Sequence, residues 1–175
     1  YGIPQKRRRL VLLASRLGEI DLIPPTHKKE KYKTVRDAIS HLEPIESGEI
    51  SDKDKLHFTT KLTDINLRRI RASVPNGTWE DWDENLLLEC HKKESGKTYK
   101  AVYGRMTWDE PAPTITTQFY NYGTGRFGHP EQDRALTIRE ASILQSFPPK
   151  YKFVDKKQER SEEHTSELQS PCNLV

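Results

Sequence analysis

The chain has 175 residues, of which 33% are hydrophobic and 31% charged, with a formal net charge of +3. Its mean hydropathy is −0.87 and its pI about 8.8. These values exclude a membrane-spanning helix and a disulfide-rich scaffold, while 3 Trp, 7 Tyr and 5 Phe argue against disorder throughout. The apolar supply is thin for a self-sufficient core, and the basic balance suits a nucleic-acid partner.

In chain order, residues 9–14 read as a short buried strand, an apolar run between charge and a loop. "DLIPPTHKKEKYK" is a linker with paired prolines and clustered lysines. "TVRDAISHL" predicts a short helix capped by Thr34, with Val35, Ala38, Ile39 and Leu42 on one face. "TDINLRRIRASVP" predicts a second, with Thr63 as N-cap, a stripe of Leu67, Ile70 and Val74, and Pro75 as its end. "PNGTW" is a turn. "KTYKAVYGRMTW" and "PTITTQFY" are rich in aromatic and β-branched residues and predict strands. "YNYGTGRFGHP" is a glycine-punctuated loop. "TIREASILQSF" predicts a helix opened by a Thr137/Glu140 capping box and stopped by Pro148 and Pro149.

The stretch from residue 160 to 175, "RSEEHTSELQSPCNLV", is polar and aperiodic. A reading frame of a common short-read sequencing adapter translates to RSEEHTSELQS. The stretch is therefore expected to be read-through, and it is left out of the fold expectation.

"YGIPQKRRRLVLLAS" resembles the Gln-x-Arg-x-Arg motif of the cytosine-5 DNA methyltransferases. "GRFGHPEQDRALTIREASILQSFP" resembles their Arg-x-Leu-Thr-x-Arg-Glu-Ala helix, and "YGRMTWDEPAPTITT" the end of their target recognition domain. Order and spacing agree across almost all of residues 1–153. The resemblance implies an α/β fold, a partial Rossmann-like S-adenosylmethionine methyltransferase domain with a small mixed α+β recognition domain. The expected division is 1–24 for the end of the catalytic domain and 25–133 for linker and recognition domain. Residues 134–153 would be the returning helix, and 154–175 a disordered tail.

On a strand, Gln5, Arg7 and Arg9 share one face and Lys6 and Arg8 the other. The resemblance gives that first face to the pocket of a cytosine flipped out of duplex DNA. Arg9 would contact its 2-keto oxygen and a phosphate, Arg7 would hold a catalytic glutamate, and Gln5 would orient neighbours. Donors fixed where charge develops are the physical reason for arginine there. Thr114 and Ile115 match the Thr-aliphatic pair near the flipped base. By the same resemblance Asn121, Gly123, Gly125 and Arg126 would fall on a DNA-facing loop, where glycine permits close backbone approach and the polar side chains would reach bases or phosphate. Tyr120 and Tyr122 stack on bases or pack internally. Arg68, Arg69 and Arg71 touch phosphates or form a solvated helix face. Arg134 and Arg139 match family arginines, expected to brace the two domains first and to touch DNA second.

The family's glycine-rich cofactor loop, Pro-Cys-Gln nucleophile, Glu-Asn-Val acid and closing Gly-Asn motif are not in the sequence, so the resemblance implies a fragment, inactive alone. Cys90, in "LECHKK", is neither the nucleophile nor, with His91, half of a zinc site. The resemblance further implies S-adenosylmethionine bound mostly outside this stretch, double-stranded DNA and a cognate restriction endonuclease as partners, a monomer, and a bacterial cytoplasmic location at the nucleoid. A non-catalytic DNA-binding module on the same scaffold, or a structural domain with an incidental basic patch, remains an alternative.

Overall fold

The computed structural model describes residues 1–153; the expectations for 154–175, the adapter reading included, lie outside the described residues. Among these, three α-helices are joined by turns and short 3₁₀ segments. Helix α1 spans Val35–Ile39, and Thr34 caps it in a reciprocal box with Asp37. Helix α2 spans Asp64–Ala72, with Thr63 at the cap position but making no side-chain cap bond. Helix α3 spans Ile138–Leu144 and opens on the Thr137/Glu140 box.

One core forms between α1 and α3. Val35, Ala38 and Ile39 meet Ala141 and Leu144, and Met106, Ala112, Ile115, Phe127 and Leu136 fill the space between them. A second cluster holds Ile70 of α2 with Leu62, Tyr122 and Ala135. A third is aromatic: Trp79 stacks on His91 at 4.2 Å, and Trp82 and Tyr103 meet edge to face at 5.6 Å.

The predicted strands do not form. β structure is confined, among the described residues, to isolated bridges. Pro75, Arg105, Gly128 and Ala135 make a ribbon one residue wide, from Pro75↔Arg105 through Arg105↔Gly128 to Gly128↔Ala135. Arg105 is the hub of that ribbon. Its buried guanidinium donates to the carbonyls of Ile70 (2.9 Å), His129 (3.0 Å) and Gln132 (2.9 Å) and pairs with Asp133. A side chain thus satisfies backbone acceptors near the end of α2 and in the loop before α3. Residues 9–14 differ too: Leu10 is 99% and Leu12 89% exposed. A lone strand has no ladder to join, and the segment's one bridge is at Gln5, paired with Ala112.

On α2 the expected stripe holds at Ile70 and, half-buried, at Leu67, while Val74 lies past the helix end and is exposed. Arg69 is not on a solvated face. It is buried, donates to the Leu86 carbonyl at 2.9 Å, and lies over the Trp82 and Tyr103 rings. Arg71 pairs with Asp133, and Arg68 is exposed.

Candidate nucleic-acid interface

Two of the motifs meet at a seam. Lys6 N donates to the Ala112 carbonyl at 2.8 Å, and Ala112 N to the Pro4 carbonyl at 2.9 Å. The Thr114 hydroxyl donates to the Lys6 carbonyl at 2.9 Å. The β-branched Thr114 has few rotamers, so this bond costs little side-chain entropy. The seam brings Gln5 beside the Thr114–Ile115 pair. Ile115 is buried in the core and anchors it. Gln5 Nε2 is buried and has no hydrogen-bond partner there. Lys6, Arg7, Arg8 and Arg9 are exposed along the same edge, with Arg9 Nη1 donating to the Arg8 carbonyl at 2.7 Å.

The glycine loop lies elsewhere on the surface. Asn121 is exposed, and its Oδ1 accepts from Gly123 N at 3.1 Å, which caps the 3₁₀ turn Tyr122–Thr124. A Cβ on Gly123 would sit 3.0 Å from the Tyr103 ring, and one on Gly125 2.4 Å from Phe127. The close approach that glycine permits at both positions is to a ring of this chain. Tyr122 packs rather than stacks on a partner: it is fully buried, its hydroxyl bonds Ser73 Oγ at 2.8 Å, and burial pushes it up to about 12. Tyr120 remains exposed. Arg126 is half-buried, and its Nη1 donates to the Asn76 carbonyl at 2.7 Å and to Asn76 Oδ1.

Arg134 and Arg139 sit at the start of α3 and point inward. Arg134 is 1% exposed and grips Glu140 with both arms of its fork. Its Nε reaches the Ile45 carbonyl (3.2 Å) and Gln132 Oε1 (2.8 Å). Burial alone would raise the Glu140 carboxyl, but the Arg134 guanidinium more than reverses this and holds it below its ordinary value. Arg139 pairs with Asp54, and its backbone N donates to the Leu56 carbonyl at 3.0 Å. His57 completes this junction, its ring lying between Thr137 Oγ1 (3.1 Å) and the Glu43 carbonyl (2.9 Å).

Sequence reasoning missed three residues that position the surface. Arg105 is the hub of the ribbon, and its signal was an arginine inside an apolar, aromatic stretch. His129 is buried and accepts at Nδ1 from the backbone of Glu131 and Gln132. Its ring faces Trp108 and the Glu140 carboxylate. Asn76 was read only as a turn residue. Cys90 is exposed, and no cluster of metal-ligating side chains occurs among the described residues. None of their helices is long and apolar enough to cross a membrane.

The family model of the C-5 cytosine-specific DNA methylases matches residues 1–166. Its far edge lies inside the stretch that the nucleotide coincidence assigns to an adapter. Type II methylase M.HgiDII of Herpetosiphon aurantiacus is 60% identical over 154 residues, covering 88% of this chain and 44% of that protein. DNA (cytosine-5)-methyltransferase 3 of Arabidopsis thaliana is 34% identical over 145 residues, 69% of this chain and 10% of the relative. Type II methyltransferase M1.BsuMI of Bacillus subtilis is 31% identical over 159 residues, 88% and 35% respectively. The chain thus spans less than half the length of each of these relatives. With the family model matched over most of its residues, the chain belongs to the C-5 cytosine-specific DNA methylase family.

Proposed function

We propose that the chain is the DNA-recognition part of an enzyme that transfers a methyl group from S-adenosylmethionine to C5 of a cytosine turned out of duplex DNA. The supporting observation is the seam: Thr114 bound to the Lys6 carbonyl, and Ala112 paired with Gln5. It holds the arginine motif beside Thr114, with Ile115 anchoring the pair from the core, so the motif and the Thr114 backbone border one place for an extruded base.

Each group then has a part. Arg9, exposed at the seam's edge, exchanges its bond to the Arg8 carbonyl for the base's 2-keto oxygen, where negative charge collects as the ring is attacked. Arg7 lies on the same edge and fixes the partner that contacts the ring nitrogen. Gln5 keeps a buried amide donor ready to orient that pocket. Asn121, Gly123, Gly125 and Arg126 form the groove-facing loop. Arg134 and Arg139 act as braces, because their forks are already taken by Glu140 and Asp54.

The described residues do not fit S-adenosylmethionine. They include no strand from which a glycine loop could open a helix, and the Cβ positions of Gly123 and Gly125 run into rings of this chain. The cofactor is assigned to a part of the protein outside this chain, and no step here runs through it. The same part would cover the exposed residues 10–13 and complete a Rossmann-like sheet, with domain limits at 24, 133 and 153. The reading further takes the whole protein as a monomer acting on bacterial chromosomal DNA in the cytoplasm, and, since two relatives are designated type II, as one that works beside a cognate restriction endonuclease.

The test is methylation by the full-length protein that carries this segment. Labelled S-adenosylmethionine and duplex DNA should yield 5-methylcytosine at a defined sequence, read by bisulfite conversion. Label on adenine, or none, would reject the reading.

A further inference from the structure

We propose that Asn76 is a specificity-determining residue, presenting its side-chain N–H donors to the acceptor edge of a guanine in the major groove, with Arg126 as the residue that positions it. The inference rests on the reading of this chain as the DNA-recognition part.

Asn76 is exposed at the tip of the "PNGT" turn, with a left-handed φ of 63°. Asparagine tolerates that conformation better than most residues. Its backbone is fixed on both sides: Asn76 N donates to the Arg105 carbonyl at 3.1 Å, and Gly77 N to the Val74 carbonyl at 3.0 Å. The one-residue ribbon sets this turn beside the glycine loop, through Pro75↔Arg105 and Arg105↔Gly128.

Arg126 spans the gap. Its stem lies flat on Gly104, where a Cβ would meet Arg126 Cγ at 3.0 Å and Nε at 3.2 Å. That leaves its fork one direction, toward Asn76, whose carbonyl and Oδ1 both accept from Nη1. A guanidinium only donates, so the amide must turn its oxygen inward. The Nδ2 group then points away from Arg126 and has no partner among the described residues.

This orientation decides the base. Asparagine reads adenine with its oxygen and nitrogen together, accepting from N6 and donating to N7. Here the oxygen is taken. Only donors remain, and they match an edge that only accepts, the O6 and N7 of guanine.

The test uses the full-length methyltransferase and a duplex library randomised around the methylated cytosine, read by bisulfite sequencing. Asn76→Gly keeps the left-handed turn and deletes the amide. It should relax one position, at which the parent requires guanine, by roughly 5- to 150-fold while other positions hold. Arg126→Ala should relax the same position. Replacing that guanine by 7-deazaguanine should slow the parent and leave Asn76→Gly unchanged, a response that a merely structural turn residue would not give. An unchanged site profile for Asn76→Gly, relaxation at a non-guanine position, or a uniform loss across all sequences would overturn the assignment. A parent enzyme that makes no 5-methylcytosine would instead overturn the functional reading, and this inference with it.

Discussion

Arg134 and Glu140 form a buried fork, Nη1 to Oε2 at 2.8 Å and Nη2 to Oε1 at 2.7 Å, and the same carboxylate accepts Thr137 N at 2.8 Å. One glutamate therefore serves as helix cap and as counter-ion. Glu140→Gln would leave a guanidinium buried without its charge partner. Breaking such a pair from one side typically costs about 3–5 kcal/mol. Urea unfolding should show a large fall in midpoint; a midpoint within error of the parent would mean that the pair is dispensable.

His129 gives the fold a dependence on pH. Burial drives its imidazole from 6.5 down to about 3, against the pull of Glu140 and with the repulsion of Arg134, Arg105 and His57. The unfolded chain takes up this proton below about pH 6.5, whereas the folded one does not until about pH 3. Stability is thus full above the upper value and lost as pH falls through the window, by at most about 1.4 kcal/mol per pH unit for one proton. His91, lowered by burial and by Arg69, has the same sign. The depressed carboxyls of Glu140 and Asp54 add their loss only below their ordinary 4.5 and 3.8. His129→Asn keeps an acceptor for the two backbone donors and should flatten stability between pH 5 and pH 6.5 (roughly the upper part of that window). Parallel curves for parent and variant would dismiss His129 as the source.

Thr114→Val removes the hydroxyl that holds the Lys6 carbonyl. A bond of this kind contributes about 0.5–1.5 kcal/mol, so the seam should open roughly 2- to 10-fold more often. Trypsin cuts after Lys6 and the arginines that follow, and brief digestion should release the N-terminal residues faster by that factor. Thr114→Ser should restore the parent rate. Equal rates for all three chains would show that the hydroxyl does not hold the seam.

The isolated chain should transfer no methyl group to mixed-sequence duplex DNA, since preorganised arginines do not replace a nucleophile. Incorporation above a protein-free control would refute this.

In the full-length enzyme, Arg9→Ala should slow single-turnover methylation at saturating DNA by roughly 100- to 1000-fold, the usual loss for a donor aimed at developing charge. Duplex affinity should change far less, because on the proposed reading the remaining basic side chains still meet phosphates. A parent-like single-turnover rate would reduce Arg9 to a solvated surface charge.

What could be read from the sequence was local. The caps at Thr34 and Thr137 are each settled within four residues by a side chain and its own helix, and both form. Ile70, Ala38 and Ile39 followed from helical period. Strands depend on a partner far along the chain, and among the described residues the pairing of these stretches stops at single bridges such as Arg105 with Gly128. The same holds at the interface. "PTIT" and "QKRRR" were visible as motifs, but Thr114 to Lys6 is a contact 108 residues apart. Arg126 was legible as a loop arginine, while the residue it grips, 50 positions away, was not. Glu140 was read as a cap, and nothing local announced that it also neutralises Arg134.

The aromatic cluster decides how this protein's folding can be followed. Among the described residues, helices of five, nine and seven residues and single bridges give a weak far-ultraviolet dichroism signal, which changes little when they unfold. Trp79 and Trp82 are both buried, one stacked on an imidazole and the other donating from its indole to Ser73 Oγ at 2.9 Å. Their emission reddens when water reaches the rings. Intrinsic fluorescence therefore reports on the cluster around Trp79 and Trp82, while the α1–α3 core, whose one indole at Trp108 is half-buried, needs hydrogen exchange to be seen.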